Sequence, residues 1–427
     1  MGPNKKNRKR RLSNRYKRIR AVLFLLLFAV ILITLFSERG LSGFDRSSMK
    51  EIGDPNAKVP ELKAEGAELY CVNMEEAIYQ KNADEKIDPY SITKILTCYI
   101  ALENLEPDEM VTVSEHAATP LEDGTTIWLK EGEKISVKDL LYGAMLESGN
   151  DAATALAEAV SGSEEEFADV MNEQAKEWGC ENTHFVNANG WKNKNHYTTA
   201  HDFAIITARC FENDELCKIA MTEDYTAEAT NMTGERYFES HTLRGKKINN
   251  IVGGKTGGWT SKDTSLAVRF KKDNLEGVAV VLRTPDRKPD VNKLIAASQD
   301  LTPGYTVTEE GSEISEVKVK GGKTTKTKLL ASETINAYPK GHKKRGIKVK
   351  LDRDRLKAPV KAGTEAGTYT IYVDGDELQT GKLLTSEDIE KGWFPSAFYI
   401  SNRTTALIGV VIILWLLLLA VLKRTNI

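Results

Sequence analysis

Two long apolar runs break a chain that otherwise mixes polar and apolar positions. The first, AVLFLLLFAVILITLF at 21–36, carries no charge. As a helix it would be about 24 Å long, a thin match to a hydrocarbon core of roughly 30 Å. Arg20 and Ser37 at its ends can lie at the interface. The second, TTALIGVVIILWLLLLAVL at 404–422, is also uncharged and about 28 Å long as a helix. Arg403 precedes it, Lys423 and Arg424 follow it, and Trp393 and Tyr399 stand just before it, where interfacial aromatics are common. Each run predicts a membrane span. A buried core helix accounts poorly for the second, which is apolar all round and sits at the chain end.

Between the runs the periodicity changes twice. Residues 37–60 are polar and mixed, and read as a linker. LTCYIALENL (96–105) and VKDLLYGAMLESGNDAATALAEAV (137–160) have helical spacing. SLAVRF (265–270) and EGVAVVLR (276–283) read as strands joined by a polar KKDNL turn, so a hairpin is expected after the segment GGKTGG. From Thr302 onward, SEVKVK, RGIKVKLD and GTYTIYVDGDELQTGKLL alternate at period two, with Gly321-Gly322 and Asp374-Gly375 as turns. The expected organisation is a basic tail at 1–20, an anchor or signal at 21–36, a mixed α/β (α+β) domain at 61–301, a small all-β domain at 302–395 and a C-terminal span at 404–422.

Charge sharpens this picture. The 427 residues carry a net charge of −2, but residues 1–20 hold ten basic side chains and no acid. Removing these ten with Lys423 and Arg424 leaves residues 21–422 at −14. A nucleic-acid partner is disfavoured, since such a body needs a basic patch. The basic tail holds the N-terminus in the cytoplasm and sends the following chain outward. Two spans would keep both termini inside. The segment SERGLSGFD after the first run offers no clean cleavage site, which favours an uncleaved anchor. The five cysteines, Cys71, Cys98, Cys180, Cys210 and Cys217, form no C-x-x-C pair and have no His at zinc-ligand spacing. Cys98 reads as a small buried hydrophobe.

Three short motifs carry candidate chemistry. Ser91-Ile92-Thr93-Lys94 opens an apolar helix, where residues three apart share a face. A serine needs an adjacent base, and a lysine whose pKa is depressed by burial can be that base. The plain alternative is a capping Ser and a surface Lys. Ser148-Gly149-Asn150 interrupts two helical runs, as an ordinary turn would. Lys255-Thr256-Gly257 lies among Gly253, Gly254 and Gly258. A phosphate loop would need a helix after the Lys, and strand-like sequence follows instead. Together, in this order, S-x-x-K, S-x-N and K-T-G form the signature set of penicillin-recognising serine enzymes.

On these motifs, and on EDGTTIWLKEGEKISVKDLLYGAMLESGNDAATALAEAV (122–160) and THFVNANGWKNKNHYTTAHDFAII (183–206), the chain resembles the D-alanyl-D-alanine carboxypeptidase family, the low-molecular-mass penicillin-binding proteins. LKAPVKAGTEAGTYTIYVDG (356–375) is similar to the β domain that follows the catalytic domain there. The resemblance implies a β-lactamase/transpeptidase-like fold with an antiparallel sheet and a helical cluster. It implies that Ser91 forms an acyl-enzyme, Lys94 takes its proton and Ser148 relays a proton to the leaving amine. Asn150 would orient Lys94 and bond the substrate backbone. Lys255 and Thr256 would hold the terminal carboxylate, Gly257 and Gly258 would complete the substrate-binding segment, and the N–H groups of Ser91 and Gly258 would form the oxyanion hole. The implied partners are a peptidoglycan stem peptide ending in D-Ala-D-Ala and β-lactam antibiotics, with no cofactor or metal.

The sequence departs from the family pattern at Tyr90, where a small residue is usual, and at Lys262-Asp263, where an Ala-Gly pair is common. ESHTLRGKK replaces an Asn-rich stretch before the K-T-G. His184, His196 and His201 offer a Ser/His alternative, and Asp202 is expected to cap the helix after it. Competing readings are a class A-like β-lactamase, with Glu164, Glu165 and Glu166 as the acidic run, a D,D-endopeptidase, and a catalytically silent membrane-tethered binding protein.

Overall fold

The computed structural model describes residues 17–19, 21–22, 24–25, 27–29, 32, 43–54, 56–58, 61–122 and 124–424. Within the expected first span only 21–22, 24–25, 27–29 and 32 are described, and these are helical. The rest of that span, most of the basic tail and linker positions 37–42, 55, 59 and 60 lie outside the described residues. The chain divides into two compact units. One comprises Glu51–Tyr305 with Asn336–Lys344, and the other holds Thr306–Ile335 and Arg345–Ile427.

The first unit is built on strands β1 (Gly66–Cys71) and β2 (Glu76–Lys81), then helices α1 (Lys94–Asn104), α2 (Val137–Met145), α3 (Asn150–Ser161), α4 (Glu164–Glu177) and α5 (Ala200–Cys210). Strands β3 (Ile251–Thr260), β4 (Asp263–Lys272) and β5 (Leu275–Thr284) and helix α6 (Arg287–Leu301) complete it. The five strands form one sheet in the order β2-β1-β5-β4-β3, antiparallel throughout. Both expected strands are present. The K-T-G segment is itself a strand, however, so the hairpin becomes a three-stranded meander. Four glycines in ten residues hid β3, because glycine is poor in strands unless another backbone must come close.

Period two decides which core each side chain joins. Val278, Val280 and Leu282 face the helical cluster, while Ala279 and Val281 face α6 through Val291, Leu294 and Ile295. Helix α1 is central, with Lys94, Ile95, Leu96, Thr97, Cys98, Ile100 and Ala101 all buried. Its surroundings leave Cys98 fully covered, and all five cysteines are free thiols. Asp202 does not cap α5. Thr199 does, its hydroxyl accepting from Asp202 N at 3.0 Å. The Asp202 carboxylate instead accepts from Asn182 N and the Thr183 hydroxyl, both at 2.8 Å. A Thr three residues ahead of an acid satisfies the orphan N–H just as well, and sequence alone does not choose between two caps.

The second unit contains a six-stranded sheet. Its strands are β6 (Glu313–Lys320), β7 (Lys326–Ala331), β8 (Ile347–Arg353), β9 (Leu356–Lys357), β10 (Glu365–Val373) and β11 (Asp376–Thr385), in the order β8-β10-β11-β7-β6-β9. Asp374 and Gly375 form the β10–β11 turn with φ of 53° and 113°, the left-handed pair that a two-residue hairpin needs. Helix α7 (Asn402–Arg424) follows. Its 402–420 stretch is long and apolar enough to cross a membrane, and none of it is buried.

Candidate active site

Two of the motifs sit where one element hands over to another, and the third lies within strand β3. Ser91 lies in a short 3-10 turn, Tyr90–Thr93, that runs directly into α1 at Lys94. Ser148 is the turn between α2 and α3, with a left-handed φ of 64°. That conformation is held from outside the turn: Thr125 Oγ1 donates to Ser148 O at 2.6 Å, and Asn150 N donates to Thr125 O at 2.8 Å. The Asp151 carboxylate accepts from Ile127 N and Leu129 N at 3.0 Å, fixing the same loop. Lys255 and Thr256 are on β3, and Thr256 is partnered by Thr242, whose Oγ1 accepts from Thr256 N at 3.3 Å.

These segments converge. Lys94 Nζ is 3.0 Å from Ser91 Oγ, 2.7 Å from Asn150 Oδ1 and 2.7 Å from Asn189 O. Lys255 Nζ is 3.0 Å from Ser148 Oγ and 3.0 Å from Thr256 O. Both amines are 0% exposed. Burial, reinforced by the charge of Lys255, holds Lys94 well below the ordinary lysine value. Burial, then the Arg287 charge, pushes Lys255 down to about 7. Ser91, Ser148, Asn150, Thr256, Gly257 and Gly258 line an open cleft of about 460 Å³. Gly257 has to be glycine, since a Cβ there would stand 2.9 Å from Pro89 O and 3.1 Å from Ser91 N. All eight residues singled out in the sequence thus belong to one locality.

The structure adds residues that the motifs did not mark. Asn189 supplies the carbonyl that receives Lys94, and Arg287 lines the cleft while its guanidinium donates to Gly257 O at 2.8 Å. Trp191, His241 and Trp259 line the cleft as well. Spacing alone placed none of them: Asn189 and Trp191 lie in the stretch 183–206 and Trp259 next to Gly258, but nothing local marks which side chains reach the cleft, and Arg287 comes from the distant helix α6. Glu164 is not an idle residue on a polar helix face. Its Oε1 accepts from Ala188 N at 3.0 Å, Asn189 Nδ2 at 3.1 Å and Thr154 Oγ1 at 3.2 Å, so it props the turn that receives Lys94.

His196 is buried with its Nε2 3.1 Å from Thr93 Oγ1, and burial first pushes its pKa down to about 3. His201 pairs with Glu68 at 3.0 Å, and His184 Nδ1 is 2.6 Å from Asn195 O. None of the three stands among the cleft residues. Among the described residues, no group of three or more His, Cys, Asp or Glu could hold a metal ion.

Comparison with known proteins extends this geometry to a family. The family model described as D-alanyl-D-alanine carboxypeptidase matches residues 54–286, and a model for the penicillin-binding protein 5 C-terminal domain matches 305–391. The chain is 33% identical over 344 residues to D-alanyl-D-alanine carboxypeptidase DacF of Bacillus subtilis (strain 168), covering 78% of this chain and 87% of that one. It is 31% identical to D-alanyl-D-alanine carboxypeptidase DacC of Escherichia coli (strain K12), covering 73% of this chain and 81% of that one. Among solved structures, penicillin binding protein 5 from Haemophilus influenzae superposes with a TM-score of 0.54 at 28% identity, over 79% of this chain and all of that chain. The first of these models spans more than half of the sequence and every one of the three motifs, and on that ground the chain belongs to the D-alanyl-D-alanine carboxypeptidase family.

Proposed function

We propose that this chain is a serine-type peptidase that removes the terminal D-alanine from peptidoglycan stem peptides through an acyl-enzyme on Ser91, and that penicillins acylate the same hydroxyl. One observation carries the reading: a wholly buried, depressed lysine amine lies 3.0 Å from a serine hydroxyl that opens onto a cleft.

The hydrogen-bond inventory gives the chemistry. An uncharged amine has two protons and one lone pair. With the protons given to Asn150 Oδ1 and Asn189 O, the lone pair is left for the Ser91 hydroxyl, whose proton it can take as Oγ attacks the carbonyl. The N–H groups of Ser91 and Gly258 meet the developing oxyanion. Ser148 Oγ, in contact with Lys255 Nζ, is in place to pass a proton toward the leaving amine. Lys255, Thr256 and Gly257, with Arg287 beside them, receive the terminal carboxylate. Binding that carboxylate raises the proton affinity of Lys255 again, so substrate restores the charge that burial opposes. Water then cleaves the ester and frees Ser91.

The domain limits 61–301 and 302–395 fit this division of labour, with the catalytic chemistry confined to the first. The apolar C-terminal helix supports membrane attachment. With the charged N-terminal segment it supports a two-span topology that holds both domains outside the cytoplasm.

The test is covalent labelling of the full-length chain in detergent with a fluorescent penicillin, followed by mass analysis of a D-Ala-D-Ala pentapeptide incubated with it. Label should attach to Ser91 and the peptide should lose one alanine. Ser91→Ala should cut both rates by on the order of a thousandfold or more. Labelling that persists in Ser91→Ala would refute the assignment.

A further inference from the structure

Two positions at which the sequence departs from the family pattern touch each other. The buried Tyr90 ring sits one residue before Ser91, and its phenol donates to Asp263 Oδ2 at 2.6 Å. Asp263 opens β4 and pairs across the hairpin with Thr260, two residues beyond Gly258. The bond therefore joins the nucleophile turn to the tip of the hairpin that carries Lys255-Thr256-Gly257.

Further contacts around Tyr90 show that its position is tightly determined. Its φ is 57°, a left-handed conformation that strains a bulky residue and persists only where its surroundings hold it. Its carbonyl oxygen fills the space where a Cβ on Gly190 would stand, 2.0 Å away. Its ring lies 6.5 Å from Trp259, at 25° between planes. Asp263 is itself steadied, its Oδ1 facing Arg283 Nε at 3.9 Å, and Arg283 also reaches Glu65 at 3.1 Å and Asp88 at 3.7 Å.

The two oxyanion-hole donors come from the two segments that this contact joins. Ser91 N–H belongs to the turn and Gly258 N–H to β3. Nothing covalent and local fixes their separation, and an oxyanion hole works only when both donors are about 2.7–3.1 Å from the forming oxyanion. We propose that Tyr90 is a positioning residue, whose hydrogen bond to Asp263 sets the spacing between the Ser91 and Gly258 donors. This rests on the reading of Ser91 as the nucleophile. Tyr90 lines the cleft, and in this role it acts through the hairpin and not on a reacting atom. A phenol–carboxylate bond is charge-assisted and sits in a partly desolvated place, so its loss is felt at the transition state rather than in ground-state binding.

The experiment uses the full-length chain in detergent and follows acylation by a fluorescent penicillin across concentration and pH. Tyr90→Phe should lower the limiting acylation rate about tenfold. The half-saturating concentration and the midpoint of the acid limb should stay in place, because the contact does not involve Lys94. Asp263→Asn keeps an oxygen acceptor and should lose less than about threefold. Asp263→Leu should match Tyr90→Phe, and the double variant should be no slower than either, as expected for two ends of one bond. An unaltered acylation rate in Tyr90→Phe, a displaced acid limb, or losses that multiply in the double variant would each overturn the proposal. Failure of the unsubstituted chain to acylate at all would overturn the nucleophile assignment as well; full speed in Tyr90→Phe overturns the positioning role alone.

Discussion

Lys94 and Lys255 are both amines with no exposed surface, and each is expensive to keep there. The two burdens differ in use. In the proposed mechanism Lys94 is uncharged so that it can take a proton, and burial and the neighbouring Lys255 charge favour that form. In the same mechanism Lys255 uses its charge to receive a carboxylate, yet burial and Arg287 pull it to about 7. The free enzyme therefore carries a stability cost at this position. An unfolded lysine titrates near 10.4, so between about 7 and that value the unfolded chain binds the extra proton and stability rises with pH. Lys255→Met should remove the cost. Calorimetry should show a melting temperature raised by a few degrees at pH 7, a gain of about 1–4 kcal/mol that fades toward pH 10. The same variant should turn over carboxylate-bearing peptides poorly. A destabilised Lys255→Met at pH 7 would contradict this account of the amine.

The helices bring their residues to the site through their ends, while β3 brings Lys255, Thr256 and Gly257 from its middle. Ser91 precedes α1, Ser148 separates α2 from α3, and the Asn189–Gly190 turn lies between α4 and α5. Gly190 shows how narrow the fit is. Its φ is 81° and a Cβ would lie 2.0 Å from Tyr90 O. Gly190→Ala should destabilise the fold by about 2 kcal/mol or more and should displace the nucleophile turn. A lower melting temperature together with slower penicillin acylation would be the expected pair of results. Unchanged values for both would show that the turn yields more easily than its packing indicates. At this scale the sequence was readable where periodicity was strong. Helices α1 to α3 and the strands around 265–270 and 276–283 followed from apolar spacing. Strand β3 did not, because its glycines serve close approach rather than strand propensity, Gly257 to the Ser91 turn and Gly253 to the Phe211 ring. The cap of α5 also escaped, since Thr199 and Asp202 are equally able to fill it.

At the scale of the whole molecule the property to test is topology. Helix α7 is apolar and unburied over 402–420, and residues 1–20 are strongly basic. By the positive-inside rule both ends should face the cytoplasm. Protease protection in intact cells should spare tags at both termini while cutting a tag placed in the 302–395 domain. A C-terminal tag digested from outside would rule out the second span.

The order of S-x-x-K, S-x-N and K-T-G, the change to period two after Thr302 and the apolar run at 404–422 are local properties, and the sequence determined them without help. They were enough to name eight residues and the family. The protonation of Lys94 was not local. It depends on a depth of burial that 94 acquires only when α1 is enclosed by other elements and on Lys255, 161 positions away. The contacts of Asn189, Arg287 and Glu164 and the Tyr90–Asp263 bond likewise join distant parts of the chain. Desolvation and long-range contact are created by packing, and only the folded chain decides them.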